Sequence, residues 1–236
     1  MPRIKDLRPV LGPARSQGGR STCLAFAVTA AHENHDVRIQ PSLAVEVLYW
    51  GAKQLDGDPA PGTTFTAAAT AIRQWGQPEE PFWPYDPLRD DQDPAYAPPA
   101  DAIDPLNCVF AGLRQIATTA AEVTNELDQD RVVVIGTPTW RQLRRPVAGR
   151  LAIPTAADLD GGLHAMAIVG YRTDTGEFLV RNSWGQAWGE QGHAWIAMSF
   201  VDSHVVAACV VDLAAMAAQP GAGATTAEPL FGGSDG

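Results

Sequence analysis

Cys23 closes the stretch Gln17-Gly-Gly-Arg-Ser-Thr-Cys23 and opens an apolar helical run. At the start of a helix, backbone N–H groups without intrahelical partners and the positive end of the dipole favour a thiolate, and the thiolate is the nucleophile. The glycines and polar residues just before it keep the position open to an approaching substrate backbone. By itself this is weak evidence, because buried structural cysteines are common. His164 follows Gly161-Gly162-Leu163 at the head of an apolar strand, where a lone histidine is more often a packing residue. Asn182 leaves another strand in Arg181-Asn-Ser-Trp-Gly185, followed by Ala187-Trp-Gly-Glu-Gln-Gly192. His164 lies 141 residues after Cys23 and Asn182 lies 159 after it. A thiol and an imidazole brought together would do nucleophilic acyl-transfer chemistry.

The elements that must position these residues change character along the chain. LAFAVTAAHENHDV after Cys23 is apolar on nearly every face, which suits a helix in the middle of a domain. A second helix is expected in SLAVEVLYWGAKQL, with Ser42 as cap and Glu46 in the first turns. A third is expected over Thr66–Trp75, ending at Gly76. Between Pro78 and Pro105 stand eight prolines and several acids, so a long surface meander is expected there. The second half holds short β-rich runs: CVFAGL at 108, VVVIG at 132, HAMAIVGY at 164, EFLVRNS at 177, HAWIAM at 193 and VVAACVV at 205. One helix is expected between the first two, where Thr119 and Glu122 have capping-box spacing. Helices first and strands afterwards predict an α+β protein of two lobes. The expected division is 1–105 helical, 106–213 β-rich and 214–236 a flexible tail of small residues.

The blocks Asp6-Leu-Arg, Gln17, Cys23-Leu-Ala-Phe-Ala, His164-Ala-Met-Ala-Ile-Val-Gly-Tyr171, Asn182-Ser-Trp-Gly185 and Trp188-Gly-Glu190 stand in the order of a known family. On them the chain resembles the papain-like cysteine peptidases, especially the bacterial members, over about residues 6–212. The Asn-Ser-Trp-Gly block with its Trp-Gly-Glu is the most specific of these matches.

The resemblance implies a papain-like two-lobe fold, a helical left lobe and a β-barrel-like right lobe with the active-site cleft between them. It implies Cys23 as nucleophile, held as thiolate by the helix terminus and by imidazolium at His164. His164 would protonate the leaving amine and activate the deacylating water. Asn182 would accept the other ring N–H of His164 and fix the ring. Trp184 would cover that bond. Gln17 and the backbone N–H of Cys23 would bind the oxyanion. Gly62, Thr63, Phe65 and Gly162 would contact an extended substrate. The implied reaction is hydrolysis of peptide bonds through a thioester acyl-enzyme by a cysteine endopeptidase, with no metal and no cofactor. Two other readings use the same residues: a peptide ligase or transpeptidase, and a catalytically silent peptide-binding module.

The chain departs from the family in several places. Where many members carry a disulfide cysteine, this sequence has Arg20; the residue after the nucleophile is Leu24, not an aromatic; Leu163 precedes the histidine. About sixteen residues precede Gln17, so an inhibitory propeptide is expected to be missing and a separate inhibitory or regulatory partner could restrain activity. The 236 residues carry 17 basic and 27 acidic side chains, a net charge of −10 that argues against nucleic acid and anionic membrane as partners and leaves a peptide or protein substrate. No apolar stretch reaches the ~20 residues of a membrane helix, and no secretory signal is visible at MPRIKDL. Three cysteines cannot build a disulfide framework, so a reducing cytoplasm is expected, with Cys108 and Cys209 as buried small apolar residues. The arginine and alanine skew points to a bacterial coding bias. His32-Glu-Asn-His35 lacks zinc-protease spacing and is expected to be a solvated helix face. Arg141, Arg144 and Arg145 are expected in a solvated loop.

Overall fold

A computed structural model describes residues 2–35, 42–216 and 228–232. The first helix, α1 (Cys23–His35), has no glycine or proline and is buried from Cys23 to Asn34, as its all-round apolar sequence requires. Its polar end is buried too, which corrects the solvated face expected for His32-Glu-Asn-His35. His35 is exposed, whereas His32, Glu33 and Asn34 each meet a distant partner. His32 Nδ1 bonds Gln77 Oε1, Glu33 takes Arg15 and the Leu43 N–H, and Asn34 Oδ1 accepts from the Val132 N–H.

Helices α2 (Val45–Asp56) and α3 (Phe65–Gln74) pack on each other beside α1. Thr64 Oγ1 caps α3 by accepting the Ala67 N–H at 3.0 Å, and the chain leaves the helix through Gly76 at φ +66°. Ser42 is not the cap of α2. The helix starts at Val45, after Ala44, without a side-chain cap, and Ser42 lies three residues before it with its carbonyl accepting the Glu80 N–H at 2.6 Å. The proline-rich meander contains only the short 3-10 turns Glu80–Phe82 and Ala100–Ala102.

The sheet is built from β1 (Ile4–Asp6), β2 (Leu113–Gln115), β3 (Val133–Trp140), β4 (Arg150–Leu151), β5 (Leu159–Arg172), β6 (Glu177–Arg181), β7 (His193–Ala197) and β8 (Ala207–Val211). Its order is β2-β8-β3-β5-β6-β7-β4, with β1 added to the far end of β5 from Ile4 opposite Arg172 to Asp6 opposite Gly170. Among the described residues only β4 and β7 run parallel. The path begins at β2 and ends at β4 without joining, so the β-rich part is an open sheet and not the barrel-like lobe expected. Edge strands of three and two residues are too short to close it. Helix α4 (Ala120–Asp128) starts on Thr119, whose Oγ1 accepts the Glu122 N–H, and α5 (Ser199–His204) precedes β8.

The run CVFAGL is not a strand. Val109 exchanges backbone hydrogen bonds with Gln77 of the helical part, and strand pairing starts only at Leu113. Of the stretch expected to be a flexible tail, residues 217–227 and 233–236 lie outside the described residues. Residues 228–232, by contrast, return to α3 and pair with Thr63, because Phe231 buries its ring there. One apolar cluster runs from α1 through β3, β5 and β8 to Phe231.

Candidate active site

Cys23 is the first residue of α1 and His164 lies on β5, opposite Thr137 of β3. Because α1 packs against β5, the Ala165 N–H donates to Cys23 Sγ at 3.4 Å, and both Cys23 and His164 are fully buried. His164 Nε2 is 2.7 Å from Asn182 Oδ1, which also accepts the Ser183 N–H at 2.8 Å. That second bond orients the carboxamide with its oxygen toward the ring, so Nε2 carries the proton. Nδ1 is then the bare nitrogen, and it has no hydrogen-bond partner among the described residues. The Trp184 ring lies over the imidazole with centroids 4.8 Å apart. Burial pushes the His164 pKa down to about 4, against the raising effect of the Asn182 bond. In this closed arrangement burial favours the neutral ring.

Gln17 is held at every polar position of its backbone and side chain. Its N–H donates to Ser183 O at 2.8 Å, its carbonyl accepts from Tyr85 Oη at 2.7 Å, and Oε1 accepts from Ser183 Oγ at 2.6 Å. Nε2 donates to Arg20 O at 2.6 Å. Ser183 therefore ties Gln17 to Asn182. The sequence reading did not single out Ser183, although it stands inside the most specific motif.

Residues 116–216 match the family described as "Papain family cysteine protease". The fold is papain-like: the chain superposes on the crystal structure of xylellain, a cysteine protease from Xylella fastidiosa, with a TM-score of 0.79 at 22% identity, over 89% of this chain and 85% of that one. What these likenesses show is the fold, with a papain-family cysteine protease match over 116–216. The domain is also similar to the uncharacterized peptidase C1-like protein L477 of Acanthamoeba polyphaga mimivirus, 24% identical over 80% of this chain and 67% of that protein. It is 45% identical to the probable cysteine protease RDL6 of Arabidopsis thaliana over 51 residues, 21% of this chain and 14% of that one. The plant protein is thus matched over only a small part of its length.

Arg20 stands where the resemblance would place a bridging cysteine. Its guanidinium holds both oxygens of Glu46 at 2.5 and 3.1 Å, bonds Asp91, and lies over the rings of Tyr49, Tyr85 and Tyr96. Burial works against its charge, but the Glu46 bonds outweigh that and hold its pKa above the ordinary value. The loop carrying Gln17 and Cys23 is thereby tied to α2 and the meander without a disulfide.

Of the expected substrate contacts, Gly62, Thr63 and Phe65 lie together around Phe231. Gly162 does not join them. It is exposed on β5 beside Thr139, with its N–H toward Asp160. Arg141, Arg144 and Arg145 are exposed, and Leu143 between them is buried and accepts the Trp188 indole N–H at 2.9 Å. Cys209 is buried on β8, while Cys108 is half-buried outside any strand. Among the described residues no cluster of metal-ligating side chains occurs, and no helix is long and apolar enough to cross a membrane.

Proposed function

We propose that the domain is a cysteine endopeptidase that hydrolyses peptide bonds through a thioester on Cys23. The observation that carries this reading is the meeting of two segments 142 residues apart, with the Ala165 N–H on Cys23 Sγ and the neighbouring His164 ring locked by Asn182. His164 Nδ1, bare in the neutral ring, takes the thiol proton as Sγ attacks the scissile carbonyl carbon. The Ala165 N–H steadies the charge on sulfur. Charge developing on the carbonyl oxygen is met by the Gln17 carboxamide and the Cys23 backbone N–H. The imidazolium gives its proton to the leaving amine and then, neutral again, activates the water that releases the acyl group. Asn182 keeps the ring from turning and Trp184 shields their hydrogen bond from water.

The test is hydrolysis of a mixed pool of internally quenched peptides, read beside labelling by an epoxide that alkylates catalytic thiols. Activity is expected to vanish in Cys23→Ala, with the label mapping to Cys23. It should not map to Cys209, whose thiol burial pushes up to about 12. Labelling at Cys108 or Cys209 with Cys23 unmodified would overturn the assignment. Release of free carboxylic acids in the presence of an added amine identifies water as the acceptor.

A further inference from the structure

Residues 228–232 lie across the domain and end against the segments that carry Cys23 and His164. Phe231 exchanges both backbone hydrogen bonds with Thr63, its N–H to Thr63 O at 2.9 Å and the Thr63 N–H to its carbonyl at 3.3 Å. The next residue, Gly232, donates its N–H to the carbonyl of Leu163, immediately before His164, at 3.3 Å. Its own carbonyl accepts from Ser21 Oγ, two residues before Cys23, at 3.2 Å. The chain thus runs from α3 past Thr63 and delivers Gly232 between the two segments that carry Cys23 and His164. Upstream, the Glu228 carboxylate accepts the N–H groups of Phe65 and Thr66 at the start of α3, at 3.0 and 3.2 Å.

The fit is selective at two consecutive positions. The Phe231 ring is fully buried and meets Phe65 edge to face with centroids 5.0 Å apart. Room for it exists because residue 136 is glycine, where a Cβ would stand 2.3 Å from Phe231 Cε1. At Gly232 the restriction is opposite, since a Cβ there would lie 2.7 Å from Ser21 Cβ and 3.0 Å from Gly62 Cα. The site therefore accepts a large aromatic side chain followed by a residue with none.

From this we infer that the cleft selects an aromatic–glycine pair and that the chain's own Phe231-Gly232 is a substrate, cut between Gly232 and Gly233. The inference rests on the peptidase reading and names its substrate class. The Gly232 carbonyl passes from Ser21 Oγ to the Gln17 carboxamide and the Cys23 N–H, Cys23 Sγ attacks its carbon, and the bond to the Gly233 nitrogen breaks. The Gly233 amine leaves with a proton from His164. Water then cleaves the thioester, its hydroxyl going to the Gly232 carboxyl and its proton restoring the thiol. After the cut, Phe231-Gly232 remains tethered at a high effective concentration and competes with other peptides.

Intact-mass spectrometry of the freshly purified 236-residue chain tests this, with hydrolysis of the peptide pool measured on the same samples. The expected result is loss of Gly233–Gly236 in the wild type and retention in Cys23→Ala. Gly232→Ala is expected to stay uncut while hydrolysing pool peptides at least as fast, because its segment no longer seats. In the pool, cleavage after Phe-Gly should exceed cleavage after Phe-Ala by at least tenfold. A wild type that hydrolyses the pool but keeps Gly233–Gly236 overturns this inference and leaves the peptidase reading standing. A wild type that does neither defeats both. Loss of the same residues from Cys23→Ala, or a cut elsewhere in the wild type, also overturns it.

Discussion

Arg20 and Glu46 form a buried, doubly hydrogen-bonded ion pair that fastens the loop before Cys23 to α2. Tyr96 Oη donates to the same carboxylate at 2.7 Å, so the pair has few unmet hydrogen-bonding groups. Arg20→Met leaves the buried Glu46 carboxylate without its bidentate partner, an expected loss of about 3–5 kcal/mol in urea unfolding. The double variant Arg20→Met/Glu46→Leu is expected to be more stable than Arg20→Met alone. A double variant worse than the single one would mean that the pair acts mainly by positioning Asp91 and the tyrosines.

Loss of His164 should be nearly as damaging as loss of Cys23, because it removes the group that moves both protons. Asn182→Ala should be milder, since it frees the ring to turn but deletes no reacting group. Rates of pool hydrolysis, compared at equal folded fraction, check this order. An Asn182 variant as inactive as His164→Ala would contradict it.

Gln17→Ala should lower kcat by on the order of 10²–10³ with KM nearly unchanged, as removal of an oxyanion donor does. Glu at position 17 should be worse, because it sets negative charge against the developing oxyanion. The control is Ser183→Ala, which removes the hydroxyl that Gln17 Oε1 accepts from but leaves the donor in place. It should cost less than Gln17→Ala.

Burial lowers the pKa of both His164 and His193 from 6.5 to about 4. As pH falls, the unfolded chain protonates these rings before the folded one does. Their contribution to stability is therefore complete above about pH 6.5 and is lost progressively toward pH 4, on the order of 3 kcal/mol for each ring. NMR titration of the ring C–H signals should find both rings still neutral at pH 5.5. A His164 signal titrating near pH 6.5 would mean the cleft is open to water much of the time.

The parts of the site that were legible in the sequence are those whose residue types carry chemistry. Cys23, His164, Asn182 and Gln17 stand in motifs, and helical and alternating patterns located the α1, β3 and β5 segments. Less visible were contacts whose meaning lies in a distant partner. Phe231 and Gly232 sit in a small-residue stretch without periodicity, and only Thr63, Ser21 and Leu163 give them a place. His32, Glu33 and Asn34 read as a wet face because polarity alone does not reveal Gln77, Arg15 or the Val132 N–H. Strands β1 and β4, with three and two residues, are too short for any pattern to form.

The open sheet has a further consequence for how copies of the chain behave toward one another. An unclosed sheet exposes two rows of backbone donors and acceptors, a template on which a neighbouring chain can zip. Here those rows belong to β2 and β4, with the unpaired side of β1 beside them, all of three residues or fewer, and each carries a basic side chain, Arg114, Arg150 and Lys5, engaged by carboxylates of its own chain. So short and charged an edge gives a stray strand almost nothing to register against, and the sheet resists edge-to-edge aggregation without having to close.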